Sequence, residues 1–112
     1  ITTPTGSTGY SLSCGGPVIM PHSKTLALTP IAPHNLNARP LIIPDNTEIT
    51  LHVSNREGCY LATYDARATI LPCASPVRIS LAPFCLKTIE LEGNDFFKTL
   101  RNKLLWGEDK RN

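Results

Sequence analysis

The residues best suited to contact a ligand lie near the start of the chain, in residues 3–10 (TPTGSTGY). Small side chains let a backbone approach a ligand closely, and consecutive N–H groups at the start of a helix can cradle a phosphate. The hydroxyls of Thr5, Ser7 and Thr8 would add uncharged donors, and Tyr10 could lie on an aromatic ring or hydrogen-bond a ribose. The competing interpretation is a Ser/Thr-rich capped loop, because a lone glycine pattern is weak evidence.

A second unusual run is residues 28–34 (LTPIAPH), in which two prolines stiffen the backbone that presents Ala32 and His34. A histidine can act as a base near neutral pH. However, no Ser, Cys or acid lies near His34 in a hydrolase-like motif, and an edge strand with a solvated histidine is the competing interpretation. The three histidines are scattered, so the sequence predicts no metal site in this chain.

The elements that must position these residues follow from the pattern of apolar side chains. Between residues 24 and 91, short apolar stretches alternate with polar residues and are separated by Pro, Gly, Asn and Asp, which predicts an antiparallel β-sandwich. The predicted strands are 26–28, 41–43, 49–53, 60–63, 68–71, 77–81 and 86–91. We also expect one short helix over about residues 7–14, ended by Gly15-Gly16-Pro17.

The end of the chain changes to helical spacing. Phe97, Leu100 and Leu104 would line one face of a helix over 94–106, with Asn94 as its N-cap. Such an apolar helix needs a surface on which to dock. We therefore divide the chain into a mainly β domain over 1–93, this helix, and a polar tail over 107–112.

Composition restricts the class of protein. The 112 residues fit one domain, and 41% hydrophobic with 18% charged residues indicate a soluble globule with a real core. The net charge of +2, with dispersed basic residues, argues against a nucleic-acid partner, and the apolar runs are too short to cross a bilayer. The four scattered cysteines favour buried, reduced thiols over two disulfides, and hence the cytosol. Because the first residue is Ile1, we expect a piece of a longer protein.

Three collinear stretches resemble one family. Residues 3–17 (TPTGSTGYSLSCGGP) resemble the glycine-rich signature of NAD kinases, and residues 28–44 (LTPIAPHNLNARPLIIP) resemble the second C-terminal signature of that family. Residues 95–107 (DFFKTLRNKLLWG) are similar to the way these enzymes end. The resemblance covers nearly the whole chain. It implies the C-terminal all-β domain of an enzyme that phosphorylates the 2′-hydroxyl of the adenosine ribose of NAD to give NADP.

The same resemblance implies a set of NAD contacts. The family's contact segment falls on Thr8, Gly9, Tyr10, Ser11, Leu12 and Ser13, where Gly9 replaces the usual alanine. Ala32 matches an alanine near the adenine or nicotinamide, often contributed by a neighbouring subunit, and His34 lies beside it. Asp65 matches an aspartate of the family, whereas Arg67 replaces a common glutamine and could pair with a phosphate. Thr5, Gly6 and Ser7 are the phosphate-loop candidates.

The resemblance also implies what this chain lacks. It has no GGDG motif, whose aspartate is the presumed general base, and no Asn-Glu pair for the ribose, so we expect no catalytic residue here. ATP or polyphosphate would be the donor, with a divalent metal such as Mg²⁺. We expect a cytoplasmic homodimer or homotetramer without nucleic-acid or membrane partners, in which helix 94–106 packs on an N-terminal α/β domain. The complete enzyme would be active and this chain alone inactive.

Two other functions fit parts of the pattern. A related lipid kinase, acting on diacylglycerol or sphingosine, shares the general architecture and would need a long apolar pocket. A non-catalytic β-sandwich for binding or assembly would use the uncovered apolar helix as its docking surface.

Overall fold

The computed structural model describes residues 1–93 and 95–108. The chain forms two compact units, the first over Ile1–Ala82 and the second starting at Pro83. The division falls earlier than the predicted domain boundary at residue 93. Within the described residues, no helix has the length and apolar character needed to cross a membrane.

The first unit begins with a short helix inside the range predicted for one, 7–14, and a 3₁₀ turn precedes it. A 3₁₀ helix covers Thr5–Thr8, and helix α1 covers Tyr10–Ser13. Gly9 separates them with φ −93° and ψ −134°, which is not helical. The short N-terminal helix is therefore confirmed within the predicted range, and the 3₁₀ turn before it is an addition that the sequence did not indicate.

Six antiparallel strands form three two-stranded sheets in the first unit. Strand β1 (Thr25–Leu28) pairs with β2 (Leu41–Pro44), β3 (Ile49–Leu51) with β6 (Val77–Ile79), and β4 (Cys59–Tyr64) with β5 (Arg67–Pro72). All three pairs are antiparallel, and each strand overlaps a predicted one. The predicted mainly β, antiparallel fold is therefore confirmed.

The strand predicted over residues 86–91 is wrong, because this stretch is irregular. Leu86, Ile89 and Leu91 are 88%, 96% and 73% exposed. A strand needs a neighbour to pair its backbone N–H and C=O groups. No strand in the part of the chain that the structure describes pairs with these residues, and apolar alternation without a partner does not form a sheet.

The second unit contains helix α2 over Phe96–Leu104, which confirms a helix within the predicted range but shortens it. The Asp95 carboxylate caps its start by accepting a hydrogen bond from the Phe97 N–H at 3.3 Å. The predicted cap, Asn94, lies outside the described residues, as do residues 109–112 of the predicted tail. The helix ends at Leu105, in the left-handed region with φ +52°, before the predicted stop at Gly107.

The buried apolar core is smaller than the composition predicts. In the first unit it comprises Leu26, Ala27 and Ile49. Strands β4 and β5 place Leu61 opposite Ile70, and these side chains are 63% and 73% exposed. The expectation of a substantial core was wrong for this chain because a two-stranded sheet has too few strands to cover its own faces.

The four cysteines are free thiols, but the predicted burial is wrong. Cys14, Cys59 and Cys73 are half-buried, and Cys85 is exposed. The Cys73 thiol donates to the Asn55 side-chain oxygen at 3.4 Å. Scattered spacing alone therefore did not indicate how deeply each thiol lies.

Candidate functional site

The segment predicted to contact a ligand is held against strand β1. Thr2 and Ala27 exchange two backbone hydrogen bonds, each 2.9 Å long. This short antiparallel bridge fixes the chain just before the 3₁₀ helix. The start of the segment is consequently set by the sheet that contains β1.

Ser7 faces the inside of the segment rather than solvent. Its side chain is fully buried, and its hydroxyl donates to the Pro4 carbonyl at 2.6 Å. The Ile19 N–H donates back to the same hydroxyl at 3.0 Å. Both hydrogen bonds stay inside the protein, so Ser7 does not present its hydroxyl to a phosphate as predicted.

The backbone N–H groups around Ser7 are not free to bind a phosphate as predicted. The Gly6 N–H donates to the Thr3 hydroxyl at 3.3 Å, the Ser7 N–H to the Pro4 carbonyl at 3.1 Å, and the Gly9 N–H to the Gly6 carbonyl at 3.0 Å. These bonds close the 3₁₀ turn itself. Of the three phosphate-loop candidates, Thr5 is exposed, Gly6 is half-buried and Ser7 is buried.

The next residues are open to a ligand. Thr8, Gly9, Tyr10 and Ser13 are exposed, whereas Ser11 and Leu12 are half-buried. Tyr10 is 72% exposed, so a flat aromatic surface is available to solvent. The Cys14 side chain, one turn away, raises the pKa of the Tyr10 phenol above its ordinary value of 10.0, first through a hydrogen bond and then through charge. Because the ordinary pKa of 10.0 already lies well above pH 7, the phenol is neutral at physiological pH with or without this shift.

The stretch 3–17 meets the stretch 28–34 at three residues, Ser11, Gly16 and Thr29. The Ser11 and Thr29 hydroxyls lie 3.3 Å apart, and the Gly16 N–H donates to the Ser11 carbonyl at 2.8 Å. A side chain at Gly16 would lie 2.8 Å from the Ser11 carbonyl oxygen and 2.8 Å from the Thr29 hydroxyl. Only glycine fits this close approach, which places α1 against the end of β1.

A small cavity of about 230 Å³ lies at this junction. It is smaller than the roughly 300–1,000 Å³ of ordinary ligand pockets, and it is not the long apolar pocket that a lipid would need. Arg39 shapes one wall by donating to the carbonyls of Leu36 at 2.7 Å and Ala38 at 3.0 Å. The lining residues are Cys14, Gly15, Thr29, Pro30, Pro33, Ala38, Arg39 and Pro40.

The second run presents Ala32 and His34 on an exposed loop. Ala32 lies in the left-handed region with φ +46°, directly before Pro33. An L-residue with a Cβ atom is strained there by about 1–2 kcal/mol. Such strain persists where the surroundings fix the backbone, and it is frequent at ligand sites. The structure thus places Ala32 on a stiff and strained part of the surface.

Asp65 and Arg67 lie at the tip of the β4–β5 hairpin. Tyr64 pairs with Arg67, so Asp65 and Ala66 form a two-residue turn, and Asp65 has φ +50°. Both Asp65 and Arg67 are exposed. Within the described residues, no hydrogen bond links this tip to the segments that carry Tyr10 and Ala32. The structure therefore joins the first two groups of predicted residues and leaves the third on its own hairpin.

No metal donor set accompanies these groups. Over residues 1–93 and 95–108, no three His, Cys, Asp or Glu side chains lie close enough to hold a metal ion. We therefore assign no metal ligand and no chemical step through a metal to the described residues.

Sequence reasoning missed the structural parts played by Ser7, Gly16 and Thr29. Ser7 was interpreted as a ligand group, and Gly16 only as a helix stop. In a Ser/Thr-rich loop, the sequence does not show which serine is buried and which is exposed. Their roles depend on contacts with Ile19 and Thr29, which are distant in sequence and gave no local signal.

The chain is similar to known proteins along its whole length. Residues 1–91 match the family described as ATP-NAD kinase C-terminal domain. Over the whole chain, the sequence is 60% identical to the NAD kinase of Flavobacterium johnsoniae and 58% identical to that of Christiangramia forsetii. In both cases the chain spans 38% of the relative's length.

A solved structure supports the fold. The chain is similar to the crystal structure of yeast NADH kinase complexed with NADH, with a TM-score of 0.59 and 23% identity. The similarity covers 96% of this chain and 34% of that one. These matches do not favour the lipid-kinase alternative. With the family's C-terminal domain matched over residues 1–91, the chain belongs to the ATP-NAD kinase family.

Proposed function

We propose that this chain is the dinucleotide-binding C-terminal part of an NAD kinase, which transfers a phosphoryl group to the adenosine ribose 2′-hydroxyl of NAD. The observation that carries the proposal is the exposed Thr8–Tyr10 stretch, which is held in place on both sides and lies within the matched family region. High-identity relatives named NAD kinase support the same activity.

Phosphoryl transfer depends on holding the reacting groups in place and stabilising charge more than on covalent chemistry. In this proposal the chain supplies the first of these. The exposed Tyr10 ring provides a surface for part of the dinucleotide, and the exposed Thr8 and Ser13 hydroxyls donate hydrogen bonds to it. Ala32 and His34 contact the ligand from the stiff second run, and Asp65 and Arg67 contact it from the hairpin tip.

The rest of the reaction belongs to other parts of the enzyme. Following the family, we propose ATP or polyphosphate as the donor with Mg²⁺, an N-terminal domain that contributes the catalytic aspartate, a homodimer or homotetramer, and a cytoplasmic location. No described group of this chain is assigned as a general base or a metal ligand. The chain alone is then expected to produce no NADP.

A coupled assay for NADP formation tests the proposal. The complete polypeptide that contains this chain and the 112-residue chain alone are each incubated with NAD, Mg²⁺ and either ATP or polyphosphate. The complete polypeptide is expected to form NADP with at least one donor, and the chain alone to form none. A folded complete polypeptide without NADP formation would refute the activity, and steady turnover by the chain alone would refute the division of roles.

The exposed apolar residues of the second unit favour an assembly role for the chain in isolation. Phe97 is 57% exposed and Trp106 is 65% exposed, so α2 and the residues after it present uncovered apolar surface. We propose that the N-terminal domain covers this surface in the complete enzyme. Light scattering is expected to show that the isolated chain associates. In the complete enzyme, this apolar surface is expected to be covered by the N-terminal domain and not to mediate association. A clean monomer of the isolated chain, with the α2 amides protected from hydrogen exchange, would contradict this.

A further inference from the structure

We infer that the buried hydroxyl of Ser7 is a positioning group that fixes the exposed Thr8–Tyr10 stretch for dinucleotide binding. The inference rests on the proposed function but goes beyond it. It states that Ser7 increases the affinity for NAD although Ser7 itself does not contact NAD. A residue with this part must be rigidly held, must lie next to the binding stretch, and must not face the ligand.

The surroundings of Ser7 meet these conditions. Its side chain is fully buried, and its short hydrogen bonds join Pro4, three residues earlier, to Ile19, twelve residues later. The bond from the Ile19 N–H connects two parts of the chain that are not neighbours in sequence. Thr8 follows Ser7 directly, so the position of Ser7 sets where the exposed stretch begins.

The other end of the exposed stretch is held by a different set of hydrogen bonds. Ser11 follows Tyr10, and its carbonyl accepts from the Gly16 N–H while its hydroxyl lies 3.3 Å from that of Thr29. Thr8, Gly9 and Tyr10 are exposed between these two fixed points. The stretch is thus a short arch with two anchors, of which Ser7 is the more deeply buried.

Loss of the Ser7 hydroxyl would release the first anchor. In Ser7→Ala, the Ile19 N–H loses the acceptor that it has in the structure, whereas the Pro4 carbonyl keeps the bond from the Ser7 N–H. A buried group without a partner is costly, so the backbone is expected to move until water or another group satisfies it. That movement displaces Tyr10 and weakens NAD binding, although no atom that touches NAD has been removed.

A merely structural role for Ser7 predicts a different result. Destabilisation alone lowers the fraction of folded enzyme near the melting temperature, and it leaves the KM of the folded molecules unchanged. A positioning role raises the KM for NAD at a temperature at which the variant is fully folded. It leaves the KM for the phosphoryl donor unchanged, because the donor is held elsewhere in the proposed enzyme.

The experiment uses the complete polypeptide with Ser7→Ala, Ser7→Thr and, as a matched control, Ser80→Ala. Ser80 is exposed and lies outside the predicted contacts, so its loss is expected to change neither KM. We expect Ser7→Ala to raise the KM for NAD by about tenfold, because small displacements of a positioning element have large kinetic effects. Ser7→Thr, which keeps the hydroxyl, is expected to restore most of the affinity.

A second pair of variants tests the other anchor if Ser7→Ala does not fold or if the added methyl of Ser7→Thr does not fit. Thr29→Val removes the hydroxyl with little change of shape, and Thr29→Ser keeps it. The two-anchor arrangement predicts a higher KM for NAD in Thr29→Val than in Thr29→Ser. A wild-type KM for NAD in folded Ser7→Ala, or in Thr29→Val where Ser7→Ala is unfolded, would overturn the inference. An inactive wild-type enzyme would instead refute the proposed function.

Discussion

The front of the chain and the β4–β5 hairpin both carry predicted ligand contacts, but they are held in place differently. The front segment has little regular structure, yet Ser7 is fully buried and Gly16 has no room for a side chain. The hairpin has an uninterrupted ladder from Cys59–Pro72 to Tyr64–Arg67, yet its Leu61 and Ile70 side chains are mostly exposed. The most regular hydrogen bonding is therefore in the hairpin, whereas the tightest packing is in the front segment.

This difference predicts how far the effect of a substitution should spread. In the front segment, each anchor joins parts of the chain that are distant in sequence, so a change at one anchor should be felt at another. In the hairpin, the described hydrogen bonds run mainly between β4 and β5, so a change at the tip should remain local. The following variants test that contrast.

The largest effect is expected for Gly16→Ala. The new methyl would lie within 3 Å of the Ser11 carbonyl and the Thr29 hydroxyl, and α1 would have to move away from β1. Overpacking of this kind costs about 1–3 kcal/mol of stability. Thermal unfolding gives the change in stability, and amide chemical shifts are expected to change at Ser11 and Thr29 as well as at residue 16.

The neighbouring glycine provides a matched control. Gly15 has φ +80°, and a Cβ atom added to it would meet no neighbouring atom within 4 Å, so its requirement is conformational rather than steric. Asn adopts the left-handed region readily, and Gly15→Asn is expected to change stability by less than about 1 kcal/mol. If Gly15→Asn costs as much as Gly16→Ala, the close approach at Gly16 is not what holds α1.

A smaller and more local effect is expected at Asp65. Its φ of +50° suits Asp, Asn or Gly, whereas a β-branched residue is strained in this region. Asp65→Val should therefore cost about 1–2 kcal/mol, and Asp65→Asn much less. Thermal unfolding compares the two variants. Shift changes that extend from the hairpin into residues 2–19 would show that the two regions are not independent.

The smallest effect is expected for Cys14→Ala. Cys14 holds the pKa of the Tyr10 phenol above its ordinary value, and its removal should lower that pKa towards 10.0. Because the phenol is neutral at pH 7 in both proteins, NAD binding at pH 7 should not respond to this change in pKa. An NMR pH titration of the Tyr10 ring measures the pKa, and an unchanged value would exclude Cys14 as the cause.

The sequence predicted the parts of the fold that depend on local pattern. Alternation and turn residues located β1 to β6, and helical spacing located α2. The prediction of a strand over 86–91 was wrong because apolar alternation does not show whether a neighbouring strand is present to pair with it. The short N-terminal helix was also located, but its start at Tyr10, after the non-helical Gly9, was not.

The sequence predicts a set of contact residues, and that set stays a prediction, whereas their spatial arrangement could not be predicted. The resemblance assigns NAD contacts to Thr8–Ser13, Ala32, His34, Asp65 and Arg67. The structure places the first three of these on two segments that are joined at Ser11 and Thr29. The sequence did not show which of these side chains face solvent. Ser7 and Tyr10 are three residues apart, yet one is fully buried and the other is 72% exposed.

The binding of NAD to the complete polypeptide, with Tyr10→Ala and Tyr10→Phe as variants, tests the central proposal most directly. Isothermal titration should show Tyr10→Ala weakening NAD binding by roughly tenfold or more, since stacking of a base on an aromatic ring contributes about 1–3 kcal/mol. Tyr10→Phe keeps the ring and should bind nearly as well as the wild type if the ring is the contact. Equal NAD affinity in Tyr10→Ala and the wild type, with both proteins folded, would contradict a dinucleotide site at this segment.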